Sequence, residues 1–96
     1  MNFQEAFEIW LSKAQAIVDS NKWTKDYPRE RTLLKIMEGR RYLRIVLDTS
    51  AYCFIDKTNG NVLKANSWKQ PDHRIRGNIF SENVGVTEYG AVYFYR

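Results

Sequence analysis

The sequence predicts an α+β fold, with one N-terminal amphipathic helix packed on a mostly antiparallel sheet of about five strands. Three observations predict it. Apolar residues recur at helical spacing over residues 2–20, and two hairpin patterns follow one another over residues 32–65. The chain has 96 residues, enough for one domain and little else.

The helix is read from Phe3, Ala6, Phe7, Trp10, Leu11, Ala14, Ile17 and Val18, which line one face at steps of three and four. Asn2 with Glu5 three residues later resembles a capping box, and Ser20-Asn21 ends the run. The apolar stripe implies one buried side, so Phe7, Trp10 and Leu11 are core residues.

Residues 21–31 form a polar connector holding Trp23, Tyr27 and Pro28. The stretch "TLLKIMEGRRYLRIVLD", residues 32–48, has two readings. Asp26, Pro28 and Gly39 suit a helix cap, first turn and stop. Residues 40–48 instead alternate, with Leu43, Ile45 and Leu47 on one side and Tyr42, Arg44 and Val46 on the other. The alternation favours a hairpin, with residues 32–37 as its first strand and Glu38-Gly39 in its turn.

The second hairpin, "AYCFIDKTNGNVLKA" over residues 51–65, turns at Asn59-Gly60, a pair suited to positive φ angles. Residues 66–90 read as a basic loop region. Pro71 is expected to forbid regular pairing, with one helical turn over residues 72–76 ended by Gly77. Residues 91–96, "AVYFYR", read as a C-terminal strand in which Tyr93, Phe94 and Tyr95 alternate in and out. An exposed sheet edge is expected, and edge pairing would make a homodimer.

Charge is segregated along the chain. The formal net charge is +4. Residues 22–44 hold eight basic and three acidic side chains, a net +5, and residues 64–80 hold four against one. This balance favours anionic partners. No apolar run approaches the roughly 20 residues of a membrane span, and the N-terminus lacks the order of a secretory signal, so a cytoplasmic protein is expected.

Enzymatic constellations are missing. One His and one Cys make neither a zinc site nor a Cys–His pair, and no Gly-rich phosphate loop or carboxylate cluster occurs. Neither catalytic residue nor cofactor is assigned. Cys53 falls in a strand run and reads as a buried thiol, and Asp56 reads as a turn residue bonding its own backbone.

The candidate ligand-binding residues are Lys64, Trp68, Lys69, His73, Arg74 and Arg76, with Arg40, Arg41 and Arg44 as a secondary basic patch. An indole offers a face on which a base stacks, and ammonium and guanidinium groups bind phosphate. Bland readings stand beside these. A Trp near a Pro also serves to cover a small core, while His73 reads more readily as a surface residue and Arg40-Arg41 as a solvated turn.

The segment "FIDKTNGNVLKANSWKQPDHRIRGNIF", residues 54–80, preceded by "GRRYLRIV", resembles small, mostly uncharacterised proteins encoded by tailed bacteriophages. The resemblance rests on Phe54-Ile55-Asp56, Gly60, Val62-Leu63-Lys64, Ser67-Trp68-Lys69, Pro71 and Arg76-Gly77-Asn78-Ile79. It implies a phage origin and action inside an infected bacterium. The expected function is a non-enzymatic binder that captures a phosphorylated, base-containing ligand, either nucleic acid or a nucleotide signal of host defence. The alternative is a protein that docks on a host enzyme or defence receptor and blocks it.

Overall fold

A computed structural model of the chain describes residues 2–21, 25–87 and 90–91. Helix α1 spans Phe3–Asp19, and the Asn2 side chain caps it by accepting the Glu5 N–H at 2.9 Å. A single helical turn, α2, covers Arg29–Thr32. Strands β1 (Lys35–Glu38), β2 (Tyr42–Leu47), β3 (Ser50–Asp56), β4 (Asn61–Ala65) and β5 (Pro71–Asn78) follow. They form one antiparallel five-stranded sheet in the order β1-β2-β3-β4-β5. Each strand therefore pairs with its sequence neighbour, which needs only short turns. A two-stranded ribbon, β6 (Val86–Thr87) with β7 (Gly90–Ala91), lies beyond it.

The register divides the sheet into two faces. Leu43, Ile55 and Val62 form one row across β2, β3 and β4, and Ile45 lies opposite Cys53. With Ala6, Phe7, Trp10, Ala14 and Val18 of α1 they make the main core. Phe3, Phe7 and Trp10 stack in succession with ring centroids 6.2 and 5.9 Å apart. The Trp10 indole N–H donates to the Val84 carbonyl at 2.8 Å, which satisfies the polar end of a ring only 1% exposed. Cys53 is buried as expected, and desolvation pushes its thiol pKa up.

The opposite face carries the row Met37–Arg44–Phe54–Leu63–Ile75, one residue from each strand. A lone helix covers only one side of a sheet. Phe54 and Leu63 are nevertheless buried at the centre of this outer row, while Met37 and Ile75 at its ends are exposed.

Four expectations are corrected. Residues 71–78 form strand β5, not an interrupted loop with a helical turn. Pro71 sits at the first residue of an edge strand, where the missing N–H costs no ladder bond. The strand before the first turn begins at Lys35 rather than residue 32, because Gln15 of α1 takes the backbone ahead of it. Its amide donates to Thr32 O at 2.8 Å and accepts from Leu34 N at 2.7 Å. In the second hairpin Gly60 alone has a positive φ, 80°, and an added Cβ would meet Ile79 Cγ1 at 2.7 Å. Within the expected loop region 66–90, Val86–Thr87 form β6. Residues 92–96 of the expected C-terminal strand, Tyr93, Phe94 and Tyr95 among them, and Trp23 of the connector lie outside the described residues.

Two stability predictions follow from this packing. Trp10→Ala removes a buried indole and its bond to Val84, and is expected to lower the unfolding free energy in denaturant titration by about 3–5 kcal/mol. The second concerns Asp56, whose carboxylate accepts from Thr58 N at 2.9 Å and Thr58 Oγ1 at 2.6 Å. Burial raises its pKa, but the Thr58 bonds and the Arg41 charge outweigh burial and hold it below the ordinary value. A carboxyl lowered on folding stabilises above its unfolded pKa of about 3.9, and that stability is lost as pH falls through the folded value. The stability gap between Asp56→Asn and the parent protein is therefore expected to be widest near neutrality and to shrink in denaturant titrations below about pH 4.

Candidate functional site

The turn between β4 and β5, residues 66–70, reaches Arg44 on the outer face through Trp68. Asn66 N and Ser67 N both donate to Gln70 O, at 2.9 and 3.0 Å, while Ser67 Oγ accepts from Lys69 N and Gln70 N. These bonds make the turn a preformed unit. It is fastened by Arg44 of β2. The Arg44 Nε–H donates to the Trp68 carbonyl at 2.7 Å, and its guanidinium carbon lies 4.7 Å from the Trp68 ring centroid and 5.7 Å from that of Phe54. The guanidinium thus fills the space between strand and turn, a stacked arrangement for which Arg is better suited than Lys.

Beside this contact lies a groove of about 250 Å³. Tyr42, Arg44 and Phe54 are among its lining, with the Tyr42 and Phe54 rings edge-to-face at 6.2 Å. The β1–β2 turn contributes Arg40 and Arg41, and the 66–70 turn contributes Lys69. Among the described residues, Arg40, Arg44 and Lys69 make no ion pair. Arg41 lies 3.4 Å from Asp56, with its guanidinium 5.4 Å from the Tyr42 ring centroid. Glu38, the acid on the groove wall, is neutralised by Lys57 at 2.6 Å, whose bond and charge lower its pKa. The groove is aromatic and carries uncompensated positive charge.

The residues expected from the sequence divide accordingly. Trp68 points outward, 41% exposed, with one face taken by Arg44. Trp68 and Lys69 come together with Arg40, Arg41 and Arg44, so the two basic stretches meet on one face. Lys64 is exposed on β4, outside the groove lining. His73 and Arg74 are exposed on β5, outside the groove lining.

Arg76 is the clear correction. It is 3% exposed, reaches Asp72 at 3.4 Å and lies outside the groove lining, so the structure does not bring it to the candidate site. Asp72 also pairs with Arg74 at 3.6 Å. Its carboxyl is held low, first by the Arg74 backbone N–H and, against the burial penalty, by both guanidinium charges. The sequence reading missed Met37, Tyr42 and Phe54 as lining residues. The signal for Tyr42 was present in its alternation with Arg44 along β2.

Among the described residues, no three His, Cys, Asp or Glu side chains cluster to hold a metal ion, and no helix is long and apolar enough to cross a membrane. Removing the guanidinium fastening with Arg44→Ala is expected to cost about 1.5–3 kcal/mol, one hydrogen bond plus two cation–π contacts. Hydrogen exchange at residues 66–70 is expected to accelerate at least as much as global unfolding does, with the main core still protected.

No curated protein and no solved structure matches the chain. A family model described as "Family of unknown function (DUF7717)" matches residues 4–94. The chain therefore belongs to the DUF7717 family, whose fold in this member is one helix on an antiparallel five-stranded sheet with a basic, aromatic groove on its uncovered face.

Proposed function

We propose that this protein is a non-enzymatic binder of a phosphorylated, base-containing ligand, held on the outer sheet face. The observation that carries the reading is the convergence of Arg40, Arg44 and Lys69, without ion-pair partners among the described residues, around an aromatic-floored groove. Cations drawn from two separate turns and one strand face a common space, which suits phosphate held by charge-assisted hydrogen bonds. Tyr42 and the free face of Trp68 supply ring surface for a base.

The magnitudes fit a modest binder. Three charge-assisted bonds at about 1.5–3 kcal/mol each and one stack of about 1–3 kcal/mol give roughly −8 kcal/mol near the middle of their range. That is micromolar before the costs of ordering side chains. The similarity to phage-encoded proteins gives the ligand a setting, the cytoplasm of an infected bacterium, where nucleic acid or a nucleotide defence signal is sequestered.

A second reading is a docking surface for a host protein. Its specific support is the exposure of Met37, Trp68 and Ile75, three large apolar side chains on or above the same outer face. The anionic reading is preferred because the groove beside Met37 is charged without compensation.

Adenosine 3′,5′-bisphosphate is a suitable first probe. Isothermal titration is expected to give a dissociation constant in the high-micromolar range at low salt, weakened at least tenfold in Arg40→Ala/Lys69→Ala. Both substituted side chains are solvent-facing, so folding is expected to be unaffected. Equal affinity in parent and variant overturns the assignment of the site.

A further inference from the structure

We infer that the ligand of this groove is single-stranded nucleic acid, read as an extended chain and not as a free mononucleotide or a duplex. The inference rests on the phosphate-binding reading above and specifies its substrate class.

The first argument is size. At about 250 Å³ the groove falls below the roughly 300–1,000 Å³ of sites that enclose a drug-sized molecule. It has room for one unit at a time and leaves the rest of a ligand outside. An isolated nucleotide gains few contacts there, whereas a strand extends over neighbouring surface.

The second argument is the placement of charge. One wall is the β1–β2 turn with Arg40 and Arg41, the other is the 66–70 turn with Lys69, and Arg44 lies on the floor. Cations on both walls of a furrow follow a backbone that runs along it. Lys35 continues the series on the same side of β1 as Met37, two residues away. The acids near this path are already matched: Glu38 by Lys57, Asp56 by Arg41 and the Thr58 bonds, and Asp48 by Arg31 at 2.9 Å.

The third argument is the aromatic surface. The half-buried Tyr42 and the exposed Trp68 lie among or directly beside these cations. In a duplex the base faces are buried in the stack, and a concave wall has nothing to insert into a groove of the double helix. Aromatic rings beside a cationic furrow are instead the combination that holds single strands, by stacking that tolerates any base.

The test uses fluorescence polarisation with labelled oligothymidylates of about 4 and about 16 nucleotides, the span of known single-strand site sizes, and a duplex of the longer length. The longer single strand is expected to bind at least tenfold more tightly than adenosine 3′,5′-bisphosphate and more tightly than the duplex. Three to four phosphate contacts predict a slope of log affinity against log salt of about −2 to −3, and Arg40→Ala/Lys69→Ala is expected to flatten it by about 1.4. Trp68→Ala, which leaves the cations in place, is expected to weaken binding with little change in slope. Affinity independent of strand length, or a preference for duplex, overturns this inference while leaving phosphate binding intact. If neither the bisphosphate nor any oligonucleotide binds, the underlying reading of the site fails as well.

Discussion

A single helix can cover only one side of a sheet, and the architecture of this protein turns on how the other side is closed. The main core, built by α1 against β2, β3 and β4, is conventional. The outer row needs a cover for Phe54, and Arg44 supplies it, with its guanidinium over the Phe54 ring and Trp68 of the β4–β5 turn above. A guanidinium suits this position because its plane stacks on rings while its edge donates to a carbonyl. An aliphatic residue there would leave the Trp68 carbonyl without its donor. The cover is partial, and the space it leaves next to Tyr42 is the groove.

This arrangement links the folding of the outer face to its chemistry. The residues that hold the 66–70 turn in place also border the space where an anion is proposed to sit. Arg44 is both a structural cation and a lining group, so ligand binding and the stability of the turn share one side chain. Arg41 plays a similar double part, facing Asp56 on one side and the Tyr42 ring on another. By contrast Arg40 and Lys69 have no described structural duty, which makes them the residues whose charge is open to a ligand.

Much of the fold was legible because it follows local rules. The spacing of Phe7, Trp10, Ala14 and Val18 and the cap at Asn2 define α1, and the alternation of Tyr42 to Leu47 defines β2. What escaped reading depends on partners remote in sequence. Pro71 looked prohibitive because nothing in the sequence says that β5 is an edge strand. Arg76 looked like a surface cation because its burial beside Asp72 depends on how β5 lies against residues 83–85, where Gly77 and Gly85 meet closely. The site was half legible. In the sequence, Trp68 and Lys69 form one patch and Arg40, Arg41 and Arg44 another, since their meeting requires the β4–β5 turn to bend over β2. No composition or spacing signals that bend.

Gln15 also sets where the first strand begins. By taking up the Thr32 carbonyl and the Leu34 amide, this helix side chain acts as a substitute neighbouring strand for the backbone just ahead of β1. The border of the sheet is thereby cut to four residues, two of them charged. A foreign chain seeking to extend the sheet would find a short template there, and lengthening that template would first require the glutamine to let go.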